Sequence, residues 1–372
     1  MLALPIYNYM KKKGIDYSIM FTTLLLVCIG VVMVFSASFY YAQQKFDDSY
    51  YFFKRQGLWA LIGLGGMIFM ANFDYWKLKK LSRLFLLASL ALLVAVLLVG
   101  KEINNAKRWL YIGPLSVQPS EIAKLAIIVF LADFLSRDKK RASLFFKGVV
   151  PSLVVMGMFV LLIMKQPNMS TAAVIGMLTF TMLFLAGAKI WHLMSFVGLG
   201  CVGAVALIKK ASYRMDRILA FRDPWSDPTD TGYQTIQSLY SLGSGGWFGM
   251  GLGASRQKFL YLPYRETDFI FAIIGEELGF IGSILIILLF LTLIWRGVRI
   301  AITAPDLFGS LLASGIISMI GIQAILNIAI VTNSMPPTGV PLPFISYGGS
   351  SLFLFMSSIG VVLNISKYST AN

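Results

Sequence analysis

Apolar residues fall in long runs near 17–39, 57–73, 81–100, 119–135, 148–164, 170–187, 190–208, 269–295, 307–331 and 346–365. A helix of about 20 apolar residues crosses the hydrocarbon core of a bilayer, so each run predicts a spanning helix. Charged or Pro/Gly-rich stretches separate the runs, and no internal repeat is present. The pattern predicts about ten transmembrane helices, an even number that puts both termini on one side.

Lys and Arg in the short loops set the orientation. Lys11, Lys12 and Lys13 precede the first run. Lys77, Lys79, Lys80 and Arg83 follow the second, and Arg137, Lys139, Lys140, Arg141 and Lys147 follow the fourth. That side is assigned to the cytoplasm. The opposite short loops are poorer in cations, with one exception. The stretch 209–268, between the seventh and eighth runs, carries Lys209, Lys210, Arg214, Arg217, Arg222, Arg256, Lys258 and Arg265. It is long enough to escape the charge rule. A large basic loop on the outer face follows, within which "TGYQTIQSLYSLG" reads as a short amphipathic helix at the interface.

Composition agrees. Of 372 residues, 57% are hydrophobic and 13% charged, about half the charge of a soluble domain, and the mean hydropathy is +0.76. The chain is expected to be an all-α polytopic membrane protein. It divides into an N-terminal cytoplasmic segment (1–16), one membrane domain (17–366) and a short cytoplasmic tail (367–372). No cleavable leader is evident, because the first apolar run is long enough to span. Cys28 and Cys201 lie in apolar runs, which argues against a disulfide framework or a thiolate metal site. His192 is the only histidine, so acid–base chemistry falls to carboxylates. The net charge of +15 fits cytoplasmic loops, anionic headgroups or an anionic substrate.

Several unusual groups fall at outer span ends: Arg108 beside Trp109, "QPSEIAK" (118–124), "KQPNMST" (165–171), Asp268 and "PPTGVPLPFISYGGSS". Their convergence suggests a site open to the outer face. Glu121 and Lys124 are three apart on one helix face and can pair; the pair serves either membrane tolerance or a cavity. Lys107 and Arg108 beside a Trp also suit an ordinary interfacial belt. Glycines of "GSGGWFGMGLG" (243–253) let backbone approach backbone or a lipid-linked ligand. Pro341 and Pro343 precede Gly348 and Gly349 in a segment that can re-enter the membrane only if protein covers it or it lines a cavity.

"YRETDFIFAIIGEELGFIG" (264–282) places Asp268 at the entrance of a membrane helix and Glu276 and Glu277 inside it. Charges there are costly and need a partner or a task. Helical spacing separates Asp268 from Glu276 by about 12 Å along the axis, too far for a carboxylate dyad. The glutamates are expected to find partners on other helices. Asp268 is either a helix cap or a catalytic base, and nearby Arg265 and the helix dipole are expected to keep it ionised while partial burial pulls the other way.

"AKRWLYIGPLSVQPSEIAKLA", "GYQTIQSLYSLGSGGWFGMGLG", "TDFIFAIIGEELGFIG" and "PPTGVPLPFISYGGSS" resemble the SEDS family (shape, elongation, division and sporulation) of bacterial peptidoglycan glycosyltransferases. The resemblance covers about residues 17 to 366. It leans toward the division or sporulation branch (FtsW or SpoVE) over the elongation branch (RodA). It implies ten helices in the bacterial cytoplasmic membrane, with Asp268, the Asp of "DFIF", as catalytic residue. It further implies substrate contacts by Glu121, Lys124 and Arg108. Lys107, Arg214, Arg217, Arg222 and Arg265 join these as cations, and Asn168, Ser346, Gly348 and Gly349 as further contacts. Where the family often has Asp in "QPDLGT", this chain has Asn168, which cannot ionise.

The implied substrate is lipid II, and the implied reaction joins a sugar hydroxyl to an anomeric carbon with inversion, expelling undecaprenyl diphosphate. A base takes the proton and cations meet the diphosphate. No cofactor is called for, although a divalent cation (Mg or Mn) could assist; no dedicated ligand cage is evident. The implied partners are a class B penicillin-binding protein (a transpeptidase) and divisome or sporulation proteins; nothing points to nucleic acid. Two rival readings stay open: a flippase for the lipid-linked precursor, with Glu276 and Glu277 on its path, and a non-catalytic divisome scaffold.

Overall fold

The computed structural model describes residues 14–103, 106–113, 115–209, 215, 221–259 and 261–369. Every apolar run is helical: α1 (Tyr17–Phe46), α2 (Tyr51–Asn72), α3 (Tyr75–Val99), α4 (Pro119–Ser136), α5 (Val150–Met164), α6 (Met169–Leu185), α7 (Ile190–Lys209), α9 (Ile270–Ile302), α10 (Leu307–Val331) and α11 (Gly349–Ser366). The amphipathic segment of the basic loop forms α8 (Tyr233–Ser244). Among the described residues, six helical stretches are long and apolar enough to cross a membrane: α1, α3, α5 with its lead-in turn, α9, α10 and α11.

Several helices outrun their apolar cores because polar residues at their ends find partners. Asp16 caps α1 by accepting from the Ile19 N–H at 3.1 Å. The same carboxylate pairs with Arg296 Nη2 at 2.6 Å, which joins the start of α1 to the far end of α9.

The expectation of an all-α chain needs one correction. Between α3 and α4 lies a three-stranded antiparallel sheet of β1 (Lys101–Ile103), β2 (Ala106–Ile112) and β3 (Leu115–Val117). Lys101 pairs with Trp109 and Leu110 with Val117. Trp109, Tyr111 and Ile112 favour a pleated surface, and the two hairpins satisfy backbone groups that a loose loop would leave to solvent.

α10 packs against α4, α6, α9 and α11, and so meets most of the polar segments that matter below. α2 lies along α11 and α1 against α9. The segment between α10 and α11 carries no helix, yet Val340, Leu342, Phe344 and Ile345 are all buried. Protein covers it, the condition on which irregular backbone is tolerated at membrane depth.

α9 is broken at Gly279, whose φ of 67° and ψ of −165° leave the helical region. A break frees two carbonyls and two N–H groups that lipid cannot satisfy. The glycine-rich loop supplies their partners. Met250 and Gly251 N–H donate to the Glu276 and Glu277 carbonyls at 2.9 and 3.0 Å, while Phe280 and Ile281 N–H donate to Gly246 and Trp247 at 2.9 and 3.1 Å. A Cβ on Gly279 would sit 2.3 Å from the Gly249 nitrogen, so this approach requires glycine.

Candidate active site

Asp268 lies one residue before the N-cap of α9, which is Phe269, and no side chain caps that helix. Asp268 is therefore not the cap that its sequence position suggested. Three residues fix its turn. Asn327 Nδ2, on α10, donates to the Asp268 carbonyl at 2.7 Å. Ser346 Oγ donates to the Thr267 carbonyl at 2.6 Å and accepts from the Leu342 N–H at 2.8 Å. The Tyr347 N–H reaches the Glu266 carbonyl at 2.8 Å. The backbone is thus held from the 340–347 segment and from α10, while the carboxylate accepts no hydrogen bond from the described residues.

Burial raises the Asp268 carboxyl to about 7; Glu266 adds to the rise and Arg108 opposes it. Unpaired carboxylates pulled from water behave this way. Arg108, on β2, is oriented by the carbonyls of Gln166 (Nε, 3.1 Å) and Pro167. Asn168 follows in the same turn and caps α6, accepting from the Thr171 N–H at 3.2 Å. The sheet, the turn before α6 and the turn before α9 therefore meet around Asp268.

Arg265, expected to act on Asp268, is turned elsewhere. Its guanidinium donates to the carbonyls of Ala37 and Leu262, each at 3.2 Å, and lies over the Tyr41 ring. The cation that acts on Asp268 is Arg108. Glu266, absent from the sequence-derived site, is the second charge there.

Glu121 and Lys124 pair at 2.8 Å, both buried. Lys124 Nζ also donates to Gln323 Oε1 at 2.7 Å. Gln323 and Asn327 are four apart on α10, about 6 Å along one face. The ion pair and the Asp268 turn therefore approach one stripe of one helix. Neither amide was singled out from the sequence; the available signal was two amides at helical spacing in the otherwise apolar "GIQAILNIAI".

The remaining expected contacts scatter. The Gly348 N–H faces Gln56 Oε1 at 3.4 Å, and Gly349 lies where a Cβ would meet the Trp59 indole at 2.0 Å. Lys107 stands half-buried on β2 and Arg222 is exposed. Arg214 and Arg217 lie outside the described residues.

Glu276 and Glu277 find partners on other helices as expected, Ser241 on α8 and Ser36 on α1, and the rest come from the basic loop. Glu276 accepts from Ser241 Oγ (2.9 Å), Ser255 Oγ (2.6 Å) and the Arg256 N–H (2.8 Å). Glu277 accepts from Ser36 Oγ on α1 (2.7 Å) and pairs with buried Lys258 at 3.3 Å.

The chain matches the family FTSW_RODA_SPOVE, described as "Cell cycle protein", over residues 17–371. It belongs to this family. It is 52% identical to Stage V sporulation protein E of Bacillus subtilis (strain 168) over 362 residues, covering 96% of this chain and 99% of that one. It is 42% identical to the probable peptidoglycan glycosyltransferase FtsW of Geobacter sp. (strain M18), covering 96% and 98%. Among solved structures it is similar to a chain of a peptidoglycan synthase complex that coordinates polymerization and crosslinking, with TM-score 0.80, 30% identity and coverage of 95% and 97%. It is also similar to the rod shape determining protein RodA of Thermus thermophilus, with TM-score 0.71, 29% identity and coverage of 98% and 99%. With its apolar helices, membership of the FTSW_RODA_SPOVE family makes this a multi-pass membrane protein.

Proposed function

We propose that the chain is a peptidoglycan glycosyltransferase that polymerises lipid II at the outer face of the cytoplasmic membrane, in division or sporulation. One observation carries this reading: Asp268, an unpaired, half-buried carboxylate poised near neutral pH, with Arg108 close enough to act on it. A general base works best when its pKa lies near the working pH. In this reading the ten helices all cross, both termini are cytoplasmic, and the 209–268 loop lies outside. Relatives named as peptidoglycan glycosyltransferases and as a sporulation protein support it.

Asp268 accepts the proton of an acceptor sugar hydroxyl while its oxygen attacks the anomeric carbon of a second lipid II. The new C–O bond forms as the bond to the diphosphate oxygen breaks, and undecaprenyl diphosphate leaves with the electron pair. Burial sharpens the field of Arg108 on developing charge. Among the described residues no three carboxylate, imidazole or thiol side chains gather as a metal cage. Glu266 and Asp268 offer at most two ligands to an ion carried in by the diphosphate, and no step is routed through one.

The transport reading loses its best candidates, because Glu276 and Glu277 are engaged by the basic loop and α1. A class B penicillin-binding protein is the proposed partner, supported by the synthase complex among the similar structures. The test is polymerisation of lipid II by the purified protein, with and without that partner. Glycan strands that vanish in Asp268→Asn support the proposal. Strands that persist in a folded Asp268→Asn variant overturn it.

A further inference from the structure

We propose that Asn327 is a positioning residue for the reaction: its amide clamps the turn that carries Asp268 to the re-entrant 339–346 segment, so that the carboxylate is held between two backbones that cannot part. The proposal rests on the reading of Asp268 as the base.

Asn327 is fully buried. Its Nδ2 donates at 2.7 Å to the Asp268 carbonyl and at 2.7 Å to the Val340 carbonyl. Both partners can only accept, which fixes the amide's orientation. Its Oδ1 is buried without a partner. An orphaned acceptor in the interior is unfavourable, so the side chain is held there by its donor half. That half joins two segments 72 residues apart through one nitrogen.

The clamp sets the geometry of the carboxylate itself. A Cβ on Gly339, next to the clamped Val340, would lie 3.1 Å from Asp268 Oδ2. Glycine leaves that wall open by one methyl group, and the clamp keeps the wall at that distance. Among the described residues, the charges that act on Asp268 are Glu266 on its own turn and Arg108 on β2. α10 and the 339–346 segment contain no titratable residue. Asn327 therefore acts on the base through position and water exclusion, not through charge. One turn along, Gln323 does the corresponding work for Lys124.

The experiment uses full-length protein with its penicillin-binding partner and lipid II, with initial rates measured from about pH 5.5 to 8.5. Asn327→Ala, Gly339→Ala, their double variant and Asp268→Asn are compared with the parent. Displacing a catalytic group by about 1 Å can cost about 100-fold. Asn327→Ala is therefore expected to lower kcat at least ~10-fold with KM within ~2-fold. Its acid limb should move to lower pH as water reaches the freed carboxylate. A merely structural amide would reduce the yield of folded protein and leave the limb in place. Gly339→Ala, at an exposed position, is expected to lower kcat several-fold because the clamped wall cannot retreat. Adding it to Asn327→Ala should cost little more, since the freed wall can.

A folded Asn327→Ala variant with the parent's kcat and limb overturns the inference while an inactive Asp268→Asn leaves the base assignment standing. If Asn327→Ala does not fold, parental kcat in Gly339→Ala overturns it, by showing that the wall yields. Full activity in Asp268→Asn removes the reading beneath, and this inference with it.

Discussion

Replacing Asp268 by Asn should make the protein inactive and, at neutral pH, more stable. The substitution keeps the volume and leaves the backbone carbonyl that Asn327 holds. It removes only the capacity to take a proton. Loss of a general base costs about 10²–10⁴ in rate, or about 3–5 kcal/mol of barrier. The stability effect has the opposite sign. The carboxyl titrates at about 7 in the folded chain against an ordinary 3.8. Between those values the unfolded chain holds fewer protons than the folded one, so parental stability falls as pH rises from about 4 to about 7. The full shift corresponds to about 4 kcal/mol, a ceiling because the side chain keeps some solvent contact. Asn does not titrate, so the variant escapes this loss.

Two measurements decide it. Thermal unfolding in detergent from about pH 5 to 8 should show Asp268→Asn gaining on the parent as pH rises, with the gap levelling above about pH 7. Lipid II polymerisation by the parent should be half-maximal on its acid limb near the pH at which Asp268 ionises, and rise above it, because only the carboxylate accepts a proton. A variant less stable than the parent at pH 8 would refute the burial argument. One that polymerises within a few-fold of the parent would refute the catalytic one.

Either Glu121→Ala or Lys124→Ala strands a buried charge and should cost about 3–5 kcal/mol, read as lost accumulation of folded protein; exchanging the two residues should recover insertion but not turnover, and full turnover in the exchange would reduce the pair to scaffolding. Gly279→Ala forces a Cβ to within 2.3 Å of the Gly249 nitrogen at a φ of 67°, so membrane levels should collapse; parental levels would show that the loop yields. Polymerisation should depend on the transpeptidase partner, because the Ser-x-x-Lys of the basic loop, Ser255 to Lys258, is buried and bound to Glu276 and Glu277 and offers no exposed nucleophile for crosslinking; equal rates from the isolated chain would contradict this.

The helices were legible because hydrophobic run length is a direct consequence of bilayer thickness. α8 was legible for a related reason, since an apolar stripe at helical spacing survives in sequence. The sheet after α3 was not. Its strands are three to seven residues long, too short for alternation to stand out beside spanning runs. The break in α9 was written in two places, Gly279 and the glycines at 246–251, but either stretch alone reads as packing tolerance. Only their hydrogen bonds to one another reveal a helix completed by a loop.

At the site, sequence distinguished residue types well and neighbours badly. Asp268 was marked by its cost, since a carboxylate at a membrane helix entrance demands a reason. Its electrostatic partner was misplaced because adjacency in sequence favoured Arg265. At that turn the chain reverses, with Tyr264 at a φ of 53°, and the guanidinium leaves for α1 while Arg108 arrives from β2. The basic loop was misjudged in the same way. Its cations looked like a common pool for an anionic ligand, yet Lys258 is consumed by Glu277 and Arg265 by two carbonyls and a Tyr ring. Neutralising either of these should therefore act through folding, whereas Arg108 remains where its charge is felt by Asp268. Net charge of a segment reports what is present. Which part of it faces a substrate depends on how much the fold has already used to hold a broken helix together.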